Sequence, residues 1–274
     1  MKEFKPKATY RMVLYTALLL CAIAAMWMLG RCSSSQATSE RAYEASEGDT
    51  VDVAIEMSPM SIYTYADTLG GFNYDLVRAV GGSSHLNLRF HPMVSIEKAI
   101  EGLDKGTFDI VVADLPLTVE FQEKYSCSEP VYLDKQVLVQ RRDSAGNVEV
   151  NHQLDLAGKT VWVVANTPAA SRLRNLAAEI GDTIYVHEQS EYNSEQLFIL
   201  TAIGDVKLSV VNEKVASAMK ENYPDADLST AVSFTQFQTW LMRKNDSLLV
   251  APVNEALLKI KATKDYEKLV RRYR

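Results

Sequence analysis

The chain has 274 residues, 47% of them hydrophobic, and a formal charge of −6. That apolar content suits one large domain or two lobes of ordinary size and excludes a globally disordered chain. Lys2, Lys5, Lys7, Arg11 and Arg31 against Glu3 alone give the first 32 residues a net +4, so the remainder carries −10, which excludes the clustered cations of a nucleic-acid surface.

Met12 to Gly30 is an apolar run of 19 residues between Arg11 and Arg31. At ~1.5 Å per helical residue it is long enough to span a bilayer core, and longer than the roughly 7–15 residues of a cleaved signal core. The cations before it place the N-terminus in the cytoplasm and the bulk of the chain outside, and Trp27 suits an interfacial anchor. Residues 1–32 are thus expected to be a signal or anchor helix. The alternatives are cleavage at Ala22-Ile23-Ala24, or lipoprotein processing at Cys32, against which Arg31 occupies a position that needs a small residue. Residues 33–49, rich in Ser, Ala and Glu, read as a polar tether. Beyond them Cys127 is the single cysteine, so no disulfide framework exists there, and the scattered His85, His91, His152 and His187 have no metal-ligand spacing. Neither a metal nor a cofactor is expected.

From Thr50 strands alternate with helices. Val51–Ile55 is a strand; Phe72 to Val80 is a helix with Leu76, Val77 and Val80 on its apolar side, stopped by Gly81 and Gly82; Leu86–Phe90 is a strand. Ser95 caps a helix whose Ile96, Ala99, Ile100 and Leu103 fall at i, i+3, i+4, i+7, and Gly106 stops it. Phe108–Leu115 is a nearly continuous apolar run, as in a strand buried on both faces of a parallel sheet. Val131 to Gln140 is long and extended, and Arg141 to Asn151 is a polar turn region.

A second series follows: strand Thr160–Ala165, a helix within Thr167–Ile180 with Pro168 in its first turn, strand Ile184–His187, a helix from Glu195 to Ile203 capped by Ser194, strand Lys207–Val211, and helix Glu213–Glu221. Ser233 to Arg243 is again extended, and helices Ser247–Lys261 and Asp265–Tyr273 close the chain. The alternation implies an α/β protein with two mostly parallel sheets. The two long extended segments are natural hinge crossovers, giving lobe 1 as 50–140 plus 234–274 and lobe 2 as 141–233. The ligand crevice of such a pair lies at the carboxyl ends of the strands, between the lobes.

The landmarks Gly71-Phe-Asn-Tyr-Asp-Leu76, Ala99-Ile-Glu-Gly-Leu-Asp-Lys-Gly-Thr-Phe-Asp109, Leu117-Thr118, Ser128-Glu-Pro-Val-Tyr132, Leu156-Ala-Gly-Lys-Thr-Val161, Asn254-Glu-Ala-Leu257 and Tyr266-Glu-Lys-Leu269 keep their order and spacing over about 225 residues. Together they resemble the family 3 periplasmic solute-binding proteins, whose fold is two-lobed (type II). The Ser58-Pro59-Met60 loop and the apolar N-terminal run look most like the non-catalytic N-terminal module of the membrane-bound lytic murein transglycosylases. The resemblance implies an Arg three residues after Thr118, to grip a ligand α-carboxylate; here Phe121 stands there. It also implies an acid for the ligand ammonium at the position of Asn212. With both anchors changed, free α-amino acids are not expected to bind in the standard way.

The cleft candidates are Glu56 and Met57 after the first strand, Asp114 at the end of the buried strand, Thr118 and Phe121, Tyr63, Tyr65 and Phe72 as an aromatic wall, and Asn166, Thr167 and Asn212 from lobe 2. For each acid the other reading is a cap or loop hydrogen bond, for Phe72 core packing, and for Asn166 and Thr167 a helix cap. The expected function is a membrane-tethered binding domain on the periplasmic side of the inner membrane, closing on a small polar ligand, neutral or cationic, with an ABC-type permease or cell-wall machinery as its partner. The alternatives are a ligand-free interaction module of the same fold, or a prephenate-type dehydratase using Glu56 or Asp114 as acid. A transglycosylase is not expected, because no lysozyme-like domain follows.

Overall fold

A computed structural model describes residues 50–244 and 246–273. The expected anchor, cleavage and lipidation sites lie outside the described residues. Among the described residues no helix is long and apolar enough to cross a membrane.

The first half opens with β1 (Thr50–Glu56), a hairpin of β2 (Tyr63–Tyr65) and β3 (Thr68–Gly70), and α1 (Phe72–Ser84). Then come β4 (Asn87–Met93), α2 (Ile96–Asp104), β5 (Ile110–Pro116), α3 (Val119–Lys124), and the short strands β6 (Ser126–Cys127) and β7 (Tyr132–Asp134). The second half holds β8 (Gln136–Arg141), a 3₁₀ turn at Gln153–Leu156, β9 (Thr160–Val164), α4 (Pro168–Ile180), β10 (Tyr185–Gln189), α5 (Ser194–Ile203), β11 (Leu208–Asn212), α6 (Glu213–Lys220) and β12 (Ala226–Asp227). The chain returns through β13 (Gln236–Met242) and ends in α7 (Ser247–Lys261) and α8 (Lys264–Arg272).

One sheet runs β4-β1-β5-β13-β6 with β7 on β13, and the other β10-β9-β11-β8-β12. In each, three strands are parallel and the crossover strand lies antiparallel beside them: β13 against β5, and β8 against β11. The sheets are therefore mixed rather than mostly parallel. A strand arriving from the opposite lobe enters from the carboxyl ends of its neighbours and has to run the other way. Because β8 belongs to the second sheet, the first crossover falls at Lys135, earlier than the expected 140.

All seven residues of β5 are buried, as its apolar run predicted. Ile110 and Val112 pack on one side with Val51, Val53, Ile55, Leu76 and Trp240, while Val111, Ala113 and Leu115 pack on the other with Ile96, Ala99 and Leu103 of α2. That second cluster continues into Val137, Val164, Leu197, Phe198 and Val211 of the other lobe, so the lobes share apolar contact beneath the cleft.

Two helix boundaries differ from expectation. Helix α1 runs through Gly81 and Gly82 and ends at His85 in the left-handed conformation. A Cβ on Gly81 would lie 2.5 Å from the Leu88 side chain, so this glycine admits a strand residue against the helix instead of stopping it. Helix α5 is capped by Asn193, whose side chain accepts from Gln196 N while Gln196 returns the bond, which leaves Ser194 inside the helix with a hydroxyl not used as the cap.

Candidate functional site

The cleft has a floor and a mouth. The floor is where the carboxyl ends of β1 and β5 meet α5 and the end of β11. Glu56 and Asp114 are 3% and 7% exposed there, and the Asp114 amide lies 3.5 Å from Glu56 Oε2. Asp114 Oδ1 accepts from Asn73 Nδ2 at 2.9 Å and from the Tyr132 hydroxyl. Asn73 is itself fixed: its amide also donates to Ser61 Oγ, and its Oδ1 accepts from Trp240 Nε1 at 3.0 Å. Phe72 stacks edge-on against Tyr132 with ring centres 5.1 Å apart. Asp114 Oδ2 is buried with no hydrogen-bond partner.

Lobe 2 meets this floor directly. Asn212 Nδ2 donates to the Asp114 carbonyl at 2.6 Å, Asn193 Nδ2 to the Met57 carbonyl at 2.6 Å, and Ser194 Oγ to Glu56 Oε1 at 3.3 Å. At the hinge, Asp134 Oδ2 accepts from the Lys214 amide in the first turn of α6.

Three carboxyls are thereby held where ionisation is costly. Burial raises the Glu56 pKa and the neighbouring Asp114 raises it further; burial raises Asp114 as well, against the hydrogen bonds of Tyr132 and Asn73. Burial likewise pushes Asp134 up to about 7, and the Tyr132 phenol is held well above its ordinary value.

The mouth is different. A cavity of about 330 Å³ opens between α2 and α3 of lobe 1 and the start of α4. Phe121 lines it, with its ring 6.3 Å from that of Tyr125. The Thr118 hydroxyl is taken up capping α3 through the Phe121 amide. Asn166, in the left-handed conformation, bridges to Glu97 Oε1 at 3.2 Å, and Thr167 Oγ1 turns back to the Val164 carbonyl rather than capping α4. The amides opening α4 therefore face a space whose walls carry Glu97, Glu101, Asp104, Glu120 and Glu188 against Lys124 and Arg174.

The fold thus brings together Glu56, Asp114 and Asn212 at the floor, with the Met57 backbone, and Phe121, Asn166 and Thr167 at the mouth. Phe72 is buried in the lobe 1 core, where it supports Tyr132 and faces no ligand space. Tyr65 is 78% exposed on the hairpin, and Tyr63 lines a separate groove of about 480 Å³ with Met60, Lys214 and Tyr273. Sequence reading missed Asn73, Tyr132, Asp134, Asn193 and Ser194. The Asn193–Gln196 capping box was one available signal; the others carry none. Among the described residues no group of three or more His, Cys, Asp or Glu is placed to hold a metal ion.

The sequence profile of the bacterial extracellular solute-binding proteins, family 3, matches residues 50–274. Among curated proteins the chain is similar to the membrane-bound lytic murein transglycosylase F of Desulfosudis oleivorans, 26% identical over 222 residues (81% of this chain, 48% of the relative). It is also similar to that of Aeromonas hydrophila, 25% identical over 198 residues (72% of this chain, 39% of the relative). The chain spans less than half the length of these relatives. Among solved structures, an ancestral arginine-binding protein bound to arginine superposes with a TM-score of 0.72 at 23% identity, covering 83% of this chain and 99% of that one. The arginine-, lysine-, histidine-binding protein ArtJ of Geobacillus stearothermophilus gives 0.69 at 19% identity, covering 82% and 95%.

Proposed function

Since the chain belongs to the family 3 bacterial extracellular solute-binding proteins, we propose that it is an extracytoplasmic binding domain that closes two lobes on a small polar ligand, neutral or cationic. The observation that carries this reading is the floor. Polar groups from both lobes converge at the carboxyl ends of the strands, and the lobes meet there through a few hydrogen bonds above their shared apolar contact, with hinge motion at Lys135 and near Ser233 as the means of opening.

The mouth argues against the α-amino-acid mode. Phe121 cannot pair with a carboxylate, and the acids around α4 repel one. A charge-assisted hydrogen bond contributes about 1.5–3 kcal/mol, so its loss removes a large part of the affinity for a zwitterion. The apolar run at 12–30 supports tethering outside the inner membrane, with a permease or cell-wall machinery as the receiver of the closed form.

A thermal-shift screen of the full chain against amino acids, amines, sugars and muropeptides tests this reading, because a ligand that binds only the folded state raises Tm. A common α-amino acid bound with sub-micromolar affinity by the wild-type chain would contradict it. One observation favours a second reading, a ligand-free interaction module: the lobes already satisfy each other's polar groups across the floor. A screen without any stabilising compound would support that alternative.

A further inference from the structure

The floor holds more negative chemistry than closure requires. Asp114 from β5 accepts from the Tyr132 hydroxyl, Glu56 from β1 lies beside Asp114, Asp134 from β7 is buried in the same neighbourhood, and Asp114 Oδ2 is buried without a partner. The cations that face them are few. Lys214, on α6, stands 5.9 Å from the Tyr132 ring centre and is within 4 Å of no carboxylate among the described residues. Lys135 is already paired with Glu213 at 3.0 Å. The remaining groups packed on the cluster are neutral: Asn73 from α1, Asn193 and Ser194 from lobe 2, Asn212 from β11, and Gln238 from β13. The cavity at α2, α3 and α4 is acidic as well, and its Lys124 and Arg174 are each paired to an acid of the same wall.

We propose that the Glu56–Asp114 floor is the binding site for a small aliphatic ammonium ion that carries no carboxylate, a class set apart from α-amino acids by the phenyl ring at position 121. The proposal rests on the solute-binding reading above and deepens it. The orphaned Asp114 oxygen and Glu56 accept the ammonium protons. At the mouth Phe121 offers a carboxylate no charge and Lys124 and Arg174 are already paired, so the second end of the ligand is another ammonium or an apolar chain. With no cation bound, burial keeps the proton on Glu56 up to about pH 8, while Asp114, raised only to about 6, is ionised above that. An entering ammonium holds Glu56 as carboxylate, and the displaced proton passes to solvent. Affinity therefore rises with pH between about 6 and 8, up to tenfold per pH unit for each proton released, while an alkylammonium of pKa near 10 stays charged.

The test is calorimetric titration of the full chain with 1,4-diaminobutane at pH 6, 7 and 8, in two buffers of different ionisation enthalpy. 4-Aminobutanoate and L-arginine are the carboxylate-bearing arms. The expected result is diamine binding that tightens at least several-fold from pH 6 to pH 8 with proton release. Glu56→Gln and Asp114→Asn, which keep shape and remove charge, each weaken it tenfold or more, and 4-aminobutanoate gives no heat. Diamine binding that ignores both substitutions or lacks the pH dependence overturns the proposal. If the diamine fails but 4-aminobutanoate or L-arginine binds and Glu56→Gln abolishes it, the ammonium-only class is wrong while the cleft reading stands. If none of the three binds, the proposal falls, and the wider screen decides the cleft reading separately.

Discussion

The floor and the mouth of one cleft contain the same side-chain chemistry, carboxylates beside a few cations, and treat it in opposite ways. At the mouth, Glu101, Glu120 and Glu188 face solvent and pair with Lys105, Lys124 and Arg174 on their own surfaces. Such pairs contribute about 0–1 kcal/mol each and hold nothing shut. At the floor, Glu56, Asp114 and Asp134 are almost wholly buried, their pKa values are raised, and a single neutral amide, Asn73, ties Asp114 to Trp240 and Ser61. Burial rather than residue type turns an acidic surface into a structure that responds to protons and cations.

The comparison breaks most severely at Asn73. Replacing Asn73→Ala leaves Asp114, Ser61 and the Trp240 indole short of partners in a buried network, and the expected cost is about 3 kcal/mol in urea unfolding. The change Glu101→Gln at the mouth is the contrast, expected within about 0.5 kcal/mol of wild type.

Next in size is the pH profile. Glu56 and Asp134 have folded pKa values above their unfolded ones, so the stability they allow is complete below about 4.5 for Glu56 and 3.8 for Asp134 and is lost as pH rises through about 8 and about 7 respectively. Thermal melts from pH 5 to 9 should therefore fall toward the alkaline end, by on the order of 2 kcal/mol for Glu56. Glu56→Gln should flatten the curve and melt above wild type at pH 8.

The mouth is sharpened by Phe121→Arg. An arginine there restores a carboxylate partner beside the α4 amides, and amino-acid affinity in calorimetry should rise by about 2 kcal/mol, roughly thirtyfold. The last test is Asn193→Ala. It removes one interlobe hydrogen bond and the cap of α5, costs about 1 kcal/mol for each, and should enlarge the radius of gyration in solution scattering.

Much of this molecule can be read from its residues in order. The apolar period of Ile96, Ala99, Ile100 and Leu103 makes α2, and the unbroken run at Ile110–Leu115 makes the central strand. The phenylalanine three residues after Thr118 stands where the family resemblance implies an arginine. Gly81 misled because a glycine that ends a helix and one that admits a neighbour have the same sequence appearance; the Leu88 contact distinguishes them. Asn73 and Tyr132 read as ordinary helix and strand residues, since nothing local says that both reach Asp114.

The sequence by itself determined the elements and their alternation into two lobes, because periodicity, caps and register are short-range properties. Tertiary structure alone decided which carboxyls share a floor, which lobe 2 amides close on it and which atom is left without a partner. Glu56, Asp114, Asp134, Asn193 and Asn212 lie far apart along the chain, and their common chemistry exists only where lobe closure removes water from all of them at once.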